Sequence, residues 1–244
     1  MFQYVNQLGS SEPIRTSATI YVGGNIFNGT GTGVQPSGGG SAVLTSGTLA
    51  PNYNNGLLKI TVPQNIITTG NFTLEFWAYP NYSIGSGFTR RWVTWGTSNN
   101  SSYVDFRTMY SNLPTSLMLY RNDSTALDSA DIVQDTTWQH IAFVRTSGSS
   151  KVYVNGNRTY AGFADTFNYA SYNTVCIGGY GTGTYGYGEF HGNIDEIRLS
   201  NVARYSSNFT PPTTRFINDS NTLALIHCEN ALYSNSQVFE DDSY

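Results

Sequence analysis

Charged residues are scarce in this 244-residue chain, since Asp, Glu, Lys and Arg together make up only 11% of it. The 12 basic and 16 acidic residues give a formal net charge of −4. A chain with so little positive charge has no basic stripe to neutralise phosphates, so neither nucleic acid nor an anionic membrane is expected as a partner. An uncharged ligand or another protein fits this composition better.

Long apolar runs are also lacking, because no stretch reaches the roughly 18 residues that a membrane-spanning helix needs. Residues 1–4 do not show the positively charged and apolar regions of a secretory signal peptide. We therefore expect synthesis in a cytoplasm, without a signal peptide and without insertion into a membrane.

Residue types that carry catalysis or hold zinc are few. The 2 cysteines, Cys176 and Cys228, are too few for a disulfide framework; buried thiols are expected, with a disulfide between them as the alternative. The 3 histidines show no metal-ligand or catalytic-triad spacing. The adjacent carboxylates Asp195 and Glu196 fall on opposite faces of a predicted strand, which prevents them from acting together as acid and base. The sequence therefore predicts that the protein is not an enzyme.

Strand and turn residues, in contrast, are abundant, with 18 Tyr, 13 Phe and 25 Gly. The even-numbered residues from Phe72 to Ala78 are apolar and share one face of a predicted strand. The odd-numbered residues from Thr73 to Tyr79 share the other face, which we expect to be partly covered as well. Residues 155–156 (Asn-Gly) mark a hairpin turn. About ten such strands without a credible helix predict an all-β sandwich or barrel.

Residues 1–55 differ from the rest, because they are polar, rich in Gly, Ser and Thr, and contain one strand-like piece at residues 18–22. We interpret them as an extended arm outside the main domain. The arm is either a flexible linker or an anchor that becomes ordered on a partner. Residues 56–244 are predicted to form one domain.

A recognisable order of motifs runs through residues 71–80 (NFTLEFWAYP), 137–145 (TWQHIAFVR), 151–156 (KVYVNG), 177–179 (IGG) and 192–205 (GNIDEIRLSNVARY). In order and spacing these motifs resemble the laminin-G-like, concanavalin A-like lectin-glucanase domains that occur in bacteriophage structural proteins and bacterial surface proteins. The resemblance implies a two-sheet antiparallel jelly-roll sandwich with an extended N-terminal arm. It also assigns Trp77 and Trp138 to framework packing.

The same resemblance implies that the protein binds glycans, and it indicates where the protein is located. Residues 207–212 and 219–227 are similar to the tail of the phage copies of this domain, and residues 1–4 carry no secretion signal. We therefore expect a bacteriophage virion accessory protein, such as a capsid decoration, head-fibre or tail-associated protein, located on the virion. Its expected partners are a host or environmental surface glycan, virion proteins bound through residues 1–55, and further copies of the chain in a homo-oligomer. The alternatives are an exported bacterial cell-surface adhesin or carbohydrate-binding module, and a glycosidase with a degraded site.

Three tyrosines, Tyr180, Tyr185 and Tyr187, alternate with glycines in the loop of residues 179–189. Exposed tyrosines offer a flat apolar ring and a hydroxyl at low entropic cost, which suits sugar rings or protein surfaces. The alternative is a Gly-rich hairpin tip whose tyrosines pack on one another. Trp92 is a further ligand-binding candidate, because alternation places it opposite Trp95, so that one of the two is predicted in the core and the other on a ligand-facing sheet.

Asp195 has two interpretations. In the first, it forms an ion pair with Arg198 at the end of a strand. In the second, it is a calcium ligand, because several members of the resembled family bind Ca²⁺ through carboxylates at the rim of the sandwich. No further acidic cluster accompanies it in the sequence, so this calcium ion is the only cofactor candidate.

Overall fold

The computed structural model of the chain describes thirteen stretches of it. These are residues 19–23, 42–44, 57–61, 67–81, 90–96, 104–108, 117–121, 124–128, 133–159, 162–170, 172, 174–179 and 190–228.

Within these stretches the chain forms β-strands and no helix, as predicted. Accordingly, this part of the chain contains no helix that is long and apolar enough to cross a membrane. The strands are β1 (Thr19–Gly23), β2 (Ala42–Leu44), β3 (Leu57–Thr61), β4 (Phe72–Pro80), β5 (Arg90–Trp95), β6 (Val104–Thr108), β7 (Leu117–Arg121), β8 (Ser124–Asp128), β9 (Gln139–Thr146), β10 (Ser149–Val154), β11 (Asn157–Arg158), β12 (Phe163–Ala164), β13 (Thr174–Ile177), β14 (Gly192–Ser200) and β15 (Thr222–Ile226).

The strands form two antiparallel sheets, which confirms the predicted sandwich. One sheet has seven strands in the order β1-β3-β13-β5-β6-β7-β8, and the other has the order β11-β10-β9-β4-β14-β15, with β12 on β10 and β2 on β14. The last of these strands, β15, pairs with β14 of its own chain, so it closes its own sandwich. Residues 155–156 form the predicted tight turn between β10 and β11, with positive φ at both positions.

The space between the sheets is filled by the apolar faces that alternation predicted. The even-numbered residues from Phe72 to Ala78 are at most 2% exposed and belong to one apolar cluster. Ring contacts cross this cluster, with Phe72 edge-on to Trp95 at 5.0 Å between centroids and Phe106 at 3.5 Å from Phe143. Each such side chain contributes roughly 1.5–3 kcal/mol when fully buried, so this cluster drives the packing of sheet on sheet. Both cysteines are buried thiols, as expected.

Trp92 and Trp95 do not divide between core and surface. Strand β5 has a bulge between Arg91 and Val93, and Trp92 is the extra residue in the pairing with β6. Both tryptophans therefore belong to the main core, and Trp92 is 0% exposed. The prediction that Trp92 lines a ligand face is wrong, because it assumed unbroken alternation.

The expected N-terminal arm contributes two strands to the sandwich. Strand β1 coincides with the strand-like piece and pairs with β3 at one edge of the seven-stranded sheet. Strand β2 pairs with the start of β14 in the other sheet. The prediction that residues 1–55 lie outside the domain is therefore corrected for residues 19–23 and 42–44.

Residues 201–217, which we call the strap, connect β14 to the turn before β15 and cross the outer face of the eight-stranded sheet. The amide of Arg204 donates to Thr73 Oγ1 at 2.9 Å. The amide of Phe209 donates to the carbonyl oxygen of Gly156 at 2.9 Å. The odd-numbered face of β4 is consequently covered, as expected, with Trp77 only 5% exposed.

Two smaller apolar clusters lie under the strap and complete this second buried layer. In one of them, the stacked rings of Tyr205 and Phe209, 3.5 Å apart, pack beside Tyr153 of β10. In the other, Phe216 packs with three residues of the sheet side, and the cluster consists of Trp77, Trp138, Phe216 and Leu225. The assignment of Trp77 and Trp138 to packing is confirmed.

Gly156→Ala is expected to loosen the strap, because position 156 has φ +74° and an added Cβ would lie 1.8 Å from the carbonyl oxygen of Phe209. A left-handed backbone and a clash with main-chain atoms together predict a loss of about 2 kcal/mol or more in the free energy of unfolding. Urea unfolding measures it. Gly70→Ala is the control, since a Cβ there meets nothing within 4 Å, and a loss as large at Gly70 would contradict the explanation.

Candidate functional site

A cluster of polar and charged groups surrounds Glu75, which lies in β4 and is 0% exposed. Arg198 of β14 donates to Glu75 Oε1 from Nη2 at 2.7 Å and from Nε at 2.9 Å. The Tyr205 hydroxyl of the strap donates to Glu75 Oε2 at 2.7 Å. His140 Nε2 of β9 lies 3.2 Å from the same oxygen, a contact satisfied by the tautomer with the proton on Nε2.

A bulge in β14 makes this cluster possible. The pairing of β14 with β4 shifts between Asp195 and Arg198, which places Arg198 directly opposite Glu75. Without the extra residue, Ile197 would lie opposite Glu75 and Arg198 would face the apolar core. Ile197 instead packs in the main core, and Glu196 takes up the strained conformation of the bulge with φ +49°.

Electrostatics fix the charge states of this cluster. Burial alone raises the pKa of Glu75, but the hydrogen bond with His140, the Arg198 guanidinium and the Tyr205 hydroxyl hold that pKa below its ordinary value of 4.5. Burial and the neighbouring Glu75 carboxylate raise the pKa of Tyr205 far above its ordinary value of 10.0. Glu75 is therefore an ionised acceptor and Tyr205 a protonated donor at neutral pH.

A second carboxylate, Glu196, is also held by hydrogen bonds within the protein. Its Oε2 accepts the amide of Phe216 at 2.6 Å, and its Oε1 lies 2.7 Å from His227 Nδ1. Glu196 is 1% exposed. In the degraded-glycosidase alternative, Glu75 and Glu196 would have to serve as the catalytic acids, but each is buried and bonded to groups of the protein. Neither carboxylate is accessible to a substrate in this structure.

Asp195 was a candidate for calcium and for an ion pair with Arg198. Arg198 pairs with Glu75 instead, so the predicted Asp195–Arg198 pair is wrong. Asp195 is 2% exposed, and its Oδ1 accepts the amide of Glu196 at 2.8 Å. In the stretches that the structure describes, no three His, Cys, Asp or Glu side chains form a group that could hold a metal ion. Asp195 is thus a buried hydrogen-bond acceptor in this structure, and its role as a calcium ligand stays a prediction.

The bulge also changes the reason why Asp195 and Glu196 cannot act together as acid and base. Regular alternation would place the two carboxylates on opposite faces, but it does not hold where β14 is bulged. Burial of both carboxylates, together with the hydrogen bonds of Glu196, is what keeps the pair away from a substrate.

Tyr180, Tyr185 and Tyr187 lie outside the described residues, but both ends of their loop are described. The amide of Phe190 donates to the carbonyl oxygen of Gly178 at 3.0 Å, so the two described ends of this segment are joined. This junction lies between β13 of one sheet and β14 of the other.

Trp92 supports the base of this loop. Its carbonyl oxygen accepts the amide of Gly178 at 2.9 Å, and its ring packs edge-on against Phe190 at 4.8 Å between centroids. The indole Nε1 lies 3.5 Å from Thr108 Oγ1. Trp92 therefore holds the two ends of the tyrosine-rich loop, although it is not itself exposed to a ligand.

Comparison with known proteins gives a clear family match. The family model described as the concanavalin A-like lectin/glucanases superfamily, Laminin_G_3, matches residues 54–208. The comparison with curated protein sequences gives no match.

Several solved structures share the fold. A candidate carbohydrate-binding protein from Bacteroides ovatus has a TM-score of 0.52 and 14% identity, over 96% of this chain and 57% of that one. Tailspike protein 2 from the Escherichia coli O157:H7 bacteriophage CAB120 has a TM-score of 0.58 and 11% identity, over 92% of this chain and 31% of that one. The binding domain of botulinum neurotoxin serotype D has a TM-score of 0.52 and 14% identity, over 77% of this chain and 44% of that one. The chain thus spans well under two thirds of each of these proteins.

Arg198→Met is expected to lower the free energy of unfolding by about 3–5 kcal/mol, because it leaves the buried Glu75 carboxylate without its main counter-charge. Adding Glu75→Gln should recover at least about 1 kcal/mol, since the orphaned charge is then removed. Urea unfolding of the single and double variants measures both effects. Arg158→Met, at an exposed arginine, is the control, and equal losses at positions 158 and 198 would contradict the role of the cluster.

Proposed function

The chain belongs to the concanavalin A-like lectin/glucanases superfamily, and from this we propose that it is a glycan-binding module of a bacteriophage virion accessory protein. The observation that carries the proposal is the closed base of the tyrosine-rich loop. Gly178 and Phe190 are buried and join at 3.0 Å, so the segment with Tyr180, Tyr185 and Tyr187 is attached to the sandwich at one buried point. A loop attached in this way loses less entropy on binding than one with separate ends.

The chemistry of the loop favours an uncharged glycan. Between Gly179 and Phe190 the sequence holds three tyrosines, four glycines and two threonines, and Glu189 is the one ionisable group besides the phenols. Tyrosine rings stack on the apolar faces of sugars, and their hydroxyls bond to sugar hydroxyls. The absence of a basic stripe in the chain agrees with a neutral ligand.

The burial of the two glutamates favours binding rather than catalysis. Glu75 and Glu196 support the strap from buried positions, and a glycoside hydrolase needs two carboxylates beside the scissile bond. We therefore expect no turnover of any glycan that the protein binds.

The virion assignment rests on the phage-like motifs of the sequence and is supported by the fold that the chain shares with a phage tailspike. In this proposal residues 1–55, of which 19–23 and 42–44 pair within the sandwich, contact other virion proteins, and the sandwich displays its loop outward. Several copies on one particle raise the effective concentration, so that a weak affinity for each glycan becomes a firm attachment.

An exported carbohydrate-binding module of a bacterial surface is the second candidate. It is favoured by the shared fold of the Bacteroides ovatus protein. Both candidates require the same glycan-binding loop and differ in where the protein is found.

Replacing Tyr180, Tyr185 and Tyr187 together by Ala should reduce the affinity for a glycan identified on an array by about tenfold or more, because the stacking surfaces are removed. Isothermal titration calorimetry gives the affinity, and thermal unfolding checks the fold. Ile217→Ala is the control, since Ile217 is a 78% exposed apolar residue of the strap. Unchanged affinity in the triple variant would remove the loop as the binding site.

Cryo-electron microscopy of purified particles, together with mass spectrometry, tests the virion assignment. We expect density matching the sandwich in repeated copies, and its loss in particles made without this chain. If the chain is found on a bacterial surface or in culture medium and is absent from particles, the exported module is the correct reading.

A further inference from the structure

The strap is fastened at both of its ends by carboxylates. Near its start, Arg204 forms two hydrogen bonds with Asp219, at 2.8 and 2.9 Å, and its Nε lies 3.8 Å from Glu75 Oε1. Tyr205, the next residue, donates to Glu75 at 2.7 Å. Near its end, the amide of Phe216 donates to Glu196 at 2.6 Å.

Glu75 and Glu196 hold the strap most strongly as ionised carboxylates. Both oxygens of Glu75 accept hydrogen bonds, from Arg198 at Oε1 and from Tyr205 at Oε2. Both oxygens of Glu196 are likewise engaged, by the Phe216 amide and by His227. Protonation of Glu75 removes the negative charge that faces the Arg198 guanidinium, and protonation of Glu196 weakens its acceptance of the Phe216 amide, because hydrogen bonds to an ionised acceptor are stronger.

The middle of the strap, in contrast, is held by neutral contacts. The amide of Phe209 donates to Gly156, and Asn208 Oδ1 accepts the amide of Arg158 at 2.9 Å. The stacked rings of Tyr205 and Phe209 add apolar contact. None of these contacts depends on a carboxylate.

The main core between the sheets is filled by apolar side chains. A buried carboxylate bonded to this core is Asp165, which accepts the Tyr169 hydroxyl at 3.1 Å, away from the strap. Glu75 and Glu196 contact the strap itself, so their protonation acts on the strap side of the eight-stranded sheet before it acts on the packing of sheet on sheet.

From this arrangement we propose that the strap is an acid-operated latch: protonation of Glu75 and Glu196 releases it from the eight-stranded sheet while the two-sheet core stays folded. Release uncovers the aromatic face beneath, with Trp77, Trp138 and Tyr153. The groups that face the two acids are His140 from β9, Arg198 from β14, Tyr205 and Arg204 from the strap, and His227 after β15.

The direction of the pH dependence follows from Glu75. Its pKa in the folded protein lies below the ordinary 4.5, so its stabilisation is fully present above about pH 4.5 and is lost as the pH falls through the lower, folded value. Arg204 likewise holds the pKa of Asp219 below its ordinary value. The strap is thus bound to the eight-stranded sheet at neutral pH and is released only in acid.

Hydrogen exchange followed by mass spectrometry tests the latch on the full chain. Between pH 7 and pH 3, after correction for the intrinsic rates, peptides of residues 202–217 should lose protection at a higher pH than peptides of β9. At the intermediate pH we expect exchange of the strap to be about tenfold faster than at pH 7, with β9 unchanged. A dye that binds exposed apolar surface should report the uncovered face over the same interval.

Two variants reproduce the protonated state at neutral pH. Glu75→Gln and Glu196→Gln remove one charge each at nearly constant size, and each should speed exchange in the strap at pH 7 while β9 stays protected. Asp165→Asn is the matched control, because Asp165 is a 1% exposed carboxylate that accepts hydrogen bonds from Ser150 and Tyr169, away from the strap. If strap and β9 lose protection together at every pH, or if both glutamine variants keep the strap protected, the latch does not exist.

Discussion

The buried charge of Glu75 determines how the strap packs on the eight-stranded sheet. Taking a carboxylate out of water costs several kcal/mol unless opposite charge and hydrogen bonds surround it. Three elements supply them: β14 with Arg198, β9 with His140, and the strap with Tyr205. None of these partners is near Glu75 in sequence. The requirement to compensate one charge therefore fixes the β14 bulge and the path of the strap at the same time.

As a consequence, the buried charged residues of this side of the sheet stabilise the fold. Glu75, Glu196 and Arg198 would attract attention in any search for catalytic groups, yet their side chains hold the strap and are buried by it. In the proposed function, a ligand is recognised at surfaces that the strap does not cover. The tyrosine-rich loop starts from such a surface, at the junction of β13 and β14.

The fold could be predicted from the sequence because its signals are local. Alternation in β4 and the Asn-Gly turn after β10 depend on neighbouring residues, and the structure confirms both. The Glu75 cluster could not be predicted, since it joins residues more than 120 positions apart. One signal was present, a glutamate inside the largely apolar β4, but its pairing with Arg198 needs the register of β14 on β4, which the sequence alone does not give.

Both errors of residue assignment fall at bulges. Trp92 was assigned by regular alternation and Arg198 was paired with Asp195 at a strand end, and each lies where one extra residue reverses the faces of the strand. The bulges also lie where an additional segment joins the sheets, with Trp92 under the base of the loop and Arg198 under the strap. A regular strand presents its side chains to two faces only. Holding a loop or a strap requires a side chain aimed differently, so alternation fails at the positions where the sandwich acquires its particular surfaces.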